Sequence, residues 1–306
     1  MSQLIYSGKN LPSTQLANFD ALLLAASAPI IKPRPYTARI TRANPTAFVF
    51  LLDQSGSMNS TFNIGGNTTK SNFLADAVNK LMGELISECR RGGQYQNYFD
   101  ICVIGYGGDS ENTAKYAWEG ALEEKDFVKI EQLITHPIEQ NGNRRKWISP
   151  TAKYQTPMKQ ALHLAHDTLV QWLAQYTNKD IFPPVVINVT DGVATDADET
   201  ELIEAAQRLK SLRTTDGNVL LFNIHLAEQG DNPILFPCQK SELADSEYAH
   251  LLFDMSSDLP SVFNREIAKI TKRELIHAYS AMAYNCNPTQ LTQFLNIGTS
   301  VSRKNT

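Results

Sequence analysis

The sequence carries carboxylate and hydroxyl side chains directly after two strongly apolar segments. Asp53 and two serines stand in the stretch Asp53-Gln54-Ser55-Gly56-Ser57, and Asp191 follows the second apolar segment in the same way. A further hydroxyl, that of Thr156, lies where a helix is predicted to begin. Carboxylate and hydroxyl oxygens are hard ligands, which suit Mg²⁺ or Mn²⁺ and do not suit zinc.

These side chains can meet if the two apolar segments are strands of one sheet. Residues 47–53 form a continuous apolar run that ends in Asp53, as expected of a strand buried on both faces, and residues 185–190 have the same character. In doubly wound parallel sheets, ligands bind at the carboxyl ends of strands where the strand order reverses. We therefore predict that Asp53 and Asp191 meet in that crevice.

The pattern Asp-x-Ser-x-Ser, followed by Thr-Pro and Thr-Asp-Gly, resembles the von Willebrand factor type A domain over residues 46–277. The resemblance implies a Rossmann-like α/β fold with strand order 3-2-1-4-5-6 and a short antiparallel edge strand. It also implies a metal-ion-dependent adhesion site (MIDAS), with the hydroxyls on the metal and the carboxylates coordinating directly or through water. The residues that match this site are Asp53, Ser55, Ser57, Thr156 and Asp191.

The sequence departs from the family pattern beside the threonine. The family often has two glycines there, whereas this chain has Tyr154-Gln155. Thr151 is a competing hydroxyl, but Pro157 and the helix after it favour Thr156. A second interpretation, in which the two carboxylates only cap backbone amides, is disfavoured because every position of the metal site is filled.

Strands and helices are predicted to alternate along the main part of the chain. The predicted strands are 47–53, 99–106, 116–118, 185–190, 219–226 and 250–253, and the predicted helices are 72–91, 125–134, 156–176, 198–212 and 260–279. Gly92-Gly93 are expected to end the first helix, and Asp196 and Asp198 to cap 198–212. This alternation is typical of a doubly wound, mainly parallel sheet flanked by helices.

The main domain, residues 46–279, is predicted to lie between an N-terminal arm and a C-terminal tail. The arm, 1–45, combines a short helix at 13–26 with a proline-punctuated extended run laid over the domain, and the tail, 280–306, is polar. Inside the domain, the long loop 135–155 must end beside the metal because it leads into Thr156. Its cluster Arg144-Arg145-Lys146 is either a solvated loop or a patch for an acidic partner, and Trp147 beside it is either an interface residue or buried.

Composition excludes several functional classes. The chain has 28 Lys+Arg and 32 Asp+Glu, a net charge of −4, which gives no general attraction to nucleic acid or to an anionic membrane. The longest apolar stretch near the start, 21–31, is too short to span a bilayer and follows no basic segment. The 4 cysteines are scattered, with no CxxC pair, which predicts reduced thiols in a cytoplasmic protein.

Together these features predict a non-enzymatic, Mg²⁺-dependent protein-interaction module. Two carboxylates balance a divalent ion, so an open coordination position remains that a partner's Glu or Asp can complete. The absence of an export signal points to an intracellular type, and intracellular relatives in the family that the sequence resembles commonly work with AAA+ ATPases of the MoxR class or in signalling and stress systems.

Two other functions stay open at this point, a metal-dependent phosphatase or other hydrolase and a nucleotide-binding regulator. Ser55 stands where the aspartyl-phosphatase scheme has its second acid, which disfavours the hydrolase. The glycines at 105, 107 and 108 hint at a phosphate loop, but Ser110 breaks the GxGxxG pattern, so a plain turn is the preferred interpretation.

Overall fold

The structure is a computed structural model that describes residues 35–62, 68–142, 144–227, 232–243, 245–273 and 278–299. Its strands are β1 (Thr46–Asp53), β2 (Arg90–Arg91), β3 (Gln94–Tyr95), β4 (Phe99–Tyr106), β5 (Ala114–Tyr116), β6 (Val128–Lys129), β7 (Glu139–Asn141), β8 (Arg144–Lys146), β9 (Val185–Thr190), β10 (Arg213–Thr214), β11 (Gly217–Asn218), β12 (Leu220–Leu226), β13 (Ile234–Leu235) and β14 (Met282–Cys286). Its α-helices are α1 (Lys70–Glu88), α2 (Ile130–Thr135), α3 (Met158–Ala174), α4 (Glu199–Ser211), α5 (Glu247–Met255), α6 (Asn264–Thr271) and α7 (Pro288–Gly298).

The central sheet has the strand order that the resemblance implies. Its strands run β13-β14-β12-β9-β1-β4-β5, with β6 also paired to β4. Counting only the six main strands in chain order, this is 3-2-1-4-5-6, and the third, β5, is antiparallel to its neighbour. β1 lies at the centre, parallel to β4 on one side and to β9 on the other. The predicted fold class is therefore confirmed: a doubly wound, mainly parallel, Rossmann-like sheet.

The central strand β1 is buried on both faces, as its continuous apolar run predicts. Phe48 and Phe50 pack in the layer formed with α1 and α7, and Val49 and Leu51 pack in the layer formed with α3, α4 and α5. All eight residues of the strand are buried. This double burial fixes the position of Asp53, the last residue of β1, because the strand cannot slide or twist without opening both layers.

The helix after β1 differs from its predicted range at both ends. α1 begins at Lys70, where the Thr69 side chain accepts a hydrogen bond from the Asn72 amide, and it ends at Glu88. Gly92 and Gly93 do not end the helix but form the turn of the β2–β3 hairpin, with φ of 56° and 82°. The helix stops earlier because the chain pairs back on itself in this short hairpin.

The sixth strand of the sheet lies later in the chain than predicted. Residues 250–253, predicted as a strand, belong to α5, which buries Ala249, Leu252 and Met255 at helical spacing against the sheet. The sixth strand is instead β14. Three consecutive apolar residues, Leu251 to Phe253, fit a strand and a buried helix turn equally well, which is why the prediction was wrong.

The predicted polar tail is also wrong for its described residues, 280–299. Residues 282–286 form β14 inside the sheet, and α7 packs Leu291, Phe294 and Leu295 into the core. The closing helix predicted at 260–279 is shorter, because α6 ends at Thr271 where Lys272 takes a left-handed conformation. Residues 274–277 and 300–306 lie outside the described residues.

The described part of the N-terminal arm, residues 35–45, packs against the domain. Ala38 and Ile40 are buried in the core. The buried Asp216 carboxylate accepts the backbone amides of Thr37 and Ala38, at 3.0 and 2.8 Å. The helix predicted at 13–26 lies outside the described residues.

Over the residues that the structure describes, no helix has the length and apolarity needed to cross a lipid bilayer.

The four cysteines are free thiols, with Cys89, Cys102 and Cys286 buried and Cys238 partly exposed. Burial raises the pKa of both Cys89 and Cys286 to about 12, which keeps these groups in the unreactive thiol form.

We expect a thiol reagent such as dithionitrobenzoate to modify only Cys238 in the folded protein, and all four cysteines in denaturant. The thiolate is the reactive form, and the other three side chains are closed off from solvent. Absorbance at the end of each titration measures the number of thiols. More than one fast thiol under native conditions would contradict the burial described here.

Candidate metal centre

The two predicted carboxylates meet at the carboxyl edge of the sheet. Asp53 is the last residue of β1, and Asp191 follows Thr190, the last residue of its parallel neighbour β9. The turn at Ser55 and the 3-10 helix Gly56–Asn59 then carry the two serines back over this edge. The sequence interpretation of two strand ends meeting in one crevice therefore holds in the structure.

Hydrogen bonds join four of the five predicted site residues. Asp53 Oδ1 accepts the Ser55 backbone amide at 2.8 Å. The Ser55 and Ser57 hydroxyl oxygens lie 3.0 Å apart, and the Ser57 hydroxyl donates to Asp191 Oδ1 at 2.6 Å. Asp53 and Ser55 are buried, with 1% and 2% of their surface exposed, so the cluster opens to solvent on the Ser57 side.

Thr156, the fifth predicted residue, lies beside this cluster in a loop tied to both halves of the site. The Gly56 amide donates to the Tyr154 carbonyl at 3.0 Å, which brings the loop against the serine turn. The Thr156 amide donates to Thr195 Oγ1 at 3.0 Å, which ties it to the segment after Asp191. Thr156 is buried, and within the described residues no hydrogen bond joins its hydroxyl to the other four side chains.

The two aspartates after Asp191 cap two different helices. Asp198 caps α4 as predicted, accepting the Glu201 amide at 2.8 Å. Asp196 instead accepts the Lys159 and Gln160 amides at the start of α3, at 3.1 and 3.0 Å. The segment 192–198 thus fixes the start of α3, and with it the loop that carries Thr156.

Gly107 makes the approach of the Thr156 loop possible. It follows β4 with φ of 90°, and a Cβ at this position would lie 1.9 Å from the Gln155 carbonyl oxygen. Gly107 therefore serves the close packing of two backbone segments, which explains this glycine without a phosphate ligand.

We expect Gly107→Ala to lower the free energy of unfolding by about 3 kcal/mol, because backbone strain and the clash with Gln155 add together. Gly93→Ala is the matched control: its φ is 82° but a Cβ there meets nothing within 4 Å, so only the strain, about 1–2 kcal/mol, applies. Urea denaturation of both variants measures the difference. If both variants lose the same free energy of unfolding, the Thr156 loop can move away from the added methyl group without an energetic cost.

A buried lysine completes the site, and sequence reasoning missed it. Lys70, the first residue of α1, is 3% exposed, and its Nζ lies 2.9 Å from Asp191 Oδ2, a side chain with no exposed surface. A cation in the first turn of a helix opposes the helix dipole. That unfavourable placement, after the capping residue Thr69, was the available signal in the sequence.

Asp53 is held by a second missed residue. The Thr190 hydroxyl donates to Asp53 Oδ2 at 2.8 Å, and it lies 3.0 Å from the Gly192 carbonyl oxygen. Despite these bonds, burial and the neighbouring Asp191 charge raise the pKa of Asp53 to about 6. Ionising the Asp53 carboxyl group is thus costly in this enclosed position, and a nearby positive charge would stabilise the ionised form.

Aromatic and imidazole rings form the wall of the site beyond Asp191. His225 pairs in register with Thr190, and its ring stacks on Tyr284 with centroids 4.5 Å apart. Burial and the Lys70 ammonium lower the pKa of His225 to about 4, so this ring is neutral at physiological pH. Of His225 and Lys70, it is therefore Lys70 that places a positive charge beside Asp191.

The donor set fits a hard divalent cation. In an octahedral Mg²⁺ site, adjacent oxygens are separated by about 2.8–3.0 Å. The Ser55 and Ser57 hydroxyl oxygens have this separation, 3.0 Å, and the Ser57 hydroxyl also contacts the Asp191 carboxylate at 2.6 Å. Across the described residues, no three His, Cys, Asp or Glu side chains gather as a metal cluster, so the negative charge at this site comes from the two carboxylates.

Two large side chains are exposed on the surface beside the site. Tyr154 and Val193, which flank the serine turn and Asp191, are 54% and 60% exposed. Trp147 is buried, with its Nε1 donating to the Leu133 carbonyl. The basic cluster Arg144–Lys146 forms β8, which packs beside the middle of α1 near Asn79, about 13 Å along the helix from Lys70. The predicted patch therefore does not border the site.

Comparison with known proteins finds likeness in structure alone. No protein-family profile matches the sequence, and no curated protein matches it. Among solved structures, the chain is similar to the pilus adhesin SpaC from Lactobacillus rhamnosus GG, at 12% identity and a TM-score of 0.50, over 88% of this chain and 32% of that one.

Two further similar structures are described as von Willebrand domains. One is a von Willebrand factor type A protein from Catenulispora acidiphila, at 14% identity and a TM-score of 0.37, over 61% of this chain and 34% of that one. The other is the vWF domain of the pili tip protein Mfa5 from Porphyromonas gingivalis, at 11% identity and a TM-score of 0.41, over 86% and 97%. The chain thus spans about a third of SpaC and of the C. acidiphila protein, and identities this low concern the fold alone.

Proposed function

We propose that this chain, whose fold is similar to von Willebrand factor type A domains, is a non-enzymatic, Mg²⁺-dependent protein-interaction module. The observation that carries the proposal is the convergence of Asp53, Ser55, Ser57 and Asp191 at one edge of the sheet. Thr156 lies in the loop packed against them and is the fifth proposed ligand.

The residues of the site would hold the ion and keep one side of it accessible. Ser55 and Ser57 would present hydroxyl oxygens, and Asp53 and Asp191 would balance the charge. A bound Mg²⁺ or Mn²⁺ would supply an electrophilic centre for an oxygen ligand of a partner. Because Ser57 lies at the exposed side of the cluster, we propose that the partner's Glu or Asp enters there.

The partner surface would combine this acidic residue with apolar contacts. Tyr154 and Val193 are exposed on either side of the proposed entry, and aromatic side chains are enriched at the centres of protein interfaces. A MoxR-class AAA+ ATPase or a signalling protein in the cytoplasm is the partner class that the resemblance implies. A second candidate, adhesion at the cell surface, is favoured by the likeness in fold to the pilus adhesin SpaC.

We expect the melting temperature of the purified protein to be higher in millimolar Mg²⁺ than in EDTA. An ion present at 100 times its dissociation constant adds about 2.7 kcal/mol when it binds only the folded state. Ser57→Ala should remove this gain, whereas Ser87→Ala, which changes a serine on the exposed end of α1, should keep it. A wild-type protein that melts identically with Mg²⁺, Mn²⁺ and EDTA would refute the proposal.

A pull-down then tests the interaction itself. The wild-type chain is used as bait in Mg²⁺ and in EDTA, with Ser57→Ala and Tyr154→Ala as variants, against both a cytoplasmic extract and a cell-surface fraction. The proposal expects capture in Mg²⁺ only, lost in both variants. Turnover of a generic phosphate ester with Mg²⁺, or a melting shift with ATP or GTP, would favour the hydrolase or the nucleotide-binding alternative instead.

A further inference from the structure

The ion pair between Lys70 and Asp191 is an unusual feature for the start of a helix. The Lys70 side chain is 3% exposed and that of Asp191 has no exposed surface, although both belong to a site that opens to solvent at Ser57. Burying a lysine is costly even when it is paired, and the positive end of the α1 dipole adds to that cost. Folding stability therefore gives no reason to place a lysine here.

The ammonium group changes the charge that the site offers to a cation. Asp191 Oδ1 accepts from Ser57 and Oδ2 from Lys70, so both oxygens of this carboxylate are engaged. With Lys70 counted, the two carboxylates and the ammonium sum to a net charge of −1 instead of −2. Two cations held by the same carboxylate repel each other strongly in such an enclosed place.

We propose that Lys70 is an intramolecular competitor of the divalent ion for Asp191. The inference rests on the proposed function, since it concerns the affinity of the same site. The ion pair lowers the affinity of the unpartnered protein for metal. An acidic partner residue restores the missing negative charge, so metal and partner bind more tightly together than either does alone.

Binding of Mn²⁺ alone, measured by electron paramagnetic resonance or calorimetry, tests the inference without any partner. Lys70→Met removes the charge and keeps the aliphatic stem, and Lys70→Gln removes the charge and keeps a donor toward Asp191. Lys70→Arg keeps the charge. Lys159→Met is the matched control, since Lys159 pairs with Glu201 at 2.7 Å on the surface of α3 and α4. Melting in EDTA shows that each variant is folded.

The expected result is a Kd for Mn²⁺ at least ten times lower in Lys70→Met and Lys70→Gln than in wild type, with Lys70→Arg and Lys159→Met unchanged. If wild type binds Mn²⁺ and the two neutral variants bind it with the same or a weaker affinity, the competition is overturned while the proposed function still stands. Absence of Mn²⁺ binding in every variant, wild type included, would overturn both.

Discussion

Asp191→Ala is expected to lower the free energy of unfolding, measured in EDTA, by about 3–5 kcal/mol. The change removes the carboxylate that lies 2.9 Å from the Lys70 ammonium, and Lys70 is 3% exposed. A buried cation that loses this carboxylate loses part of what offsets the cost of its burial. Urea denaturation with the metal removed isolates this effect from any loss of metal binding.

The double variant Lys70→Met with Asp191→Ala is the control for this prediction. Replacing both members of a buried ion pair by apolar side chains is often neutral, so the double variant should recover most of the loss. If Asp191→Ala alone has the same unfolding midpoint in urea as wild type, the ion pair contributes nothing to folding stability. Alanine at this position is in any case a poor test of metal binding, because it perturbs the fold as well.

Asp53→Asn is expected to act in the opposite direction and to stabilise the metal-free protein at pH 7 by about 2–3 kcal/mol. The folded-state pKa of Asp53, about 6, lies above the ordinary value of 3.8 for an aspartate, so the native state holds a proton more firmly than the unfolded state does. Asparagine mimics the neutral form. Its amide can donate to Thr190 Oγ1 while the Thr190 hydroxyl turns to the Gly192 carbonyl, 3.0 Å away.

The same pKa shift predicts a pH dependence in EDTA. Because the folded-state pKa is raised, the contribution of Asp53 to stability is greatest below about pH 4 and declines as the pH rises to about 6. The difference in stability between Asp53→Asn and wild type should therefore be small at pH 4 and reach its full size at pH 7. Urea denaturation at both pH values measures it, and an Asn variant less stable than wild type at pH 7 would contradict the raised pKa. The proposed function adds that the order should reverse in Mg²⁺, because Asp53→Asn removes one of the two proposed carboxylate ligands.

The contrast between these two carboxylates shows what the sequence could predict. Motif spacing and strand ends were enough to bring Asp53 and Asp191 together, because parallel strands end at one edge of a sheet. The ranges 99–106 and 185–190 were also predicted without error, since continuous apolar runs identify doubly buried strands. These features depend on local pattern alone.

Features that depend on contacts between residues far apart in the sequence could not be predicted. Lys70 meets a carboxylate 121 residues away, and no local pattern reports such a pairing. The central strands also contain a polar row: the Tyr106 hydroxyl donates to Asn188, and the Asn188 amide donates to Asn223, at 2.9 and 3.0 Å. Asn188 and Asn223 are fully buried within segments that look purely apolar by average hydrophobicity. Each asparagine is tolerated only because its partner stands on the next strand.

The late position of β14 has a consequence for how the protein is made. β14 pairs with β12, whose residues are almost all buried, and α7 covers the same face of the sheet. Until residues 282–298 have left the ribosome, β12 has an open edge and an uncovered apolar face. An open strand edge is a template for pairing with another chain. A nascent or truncated chain that ends before β14 is therefore expected to aggregate or to need a chaperone, even though the residues of the proposed metal site, at the carboxyl ends of β1 and β9, are already encoded.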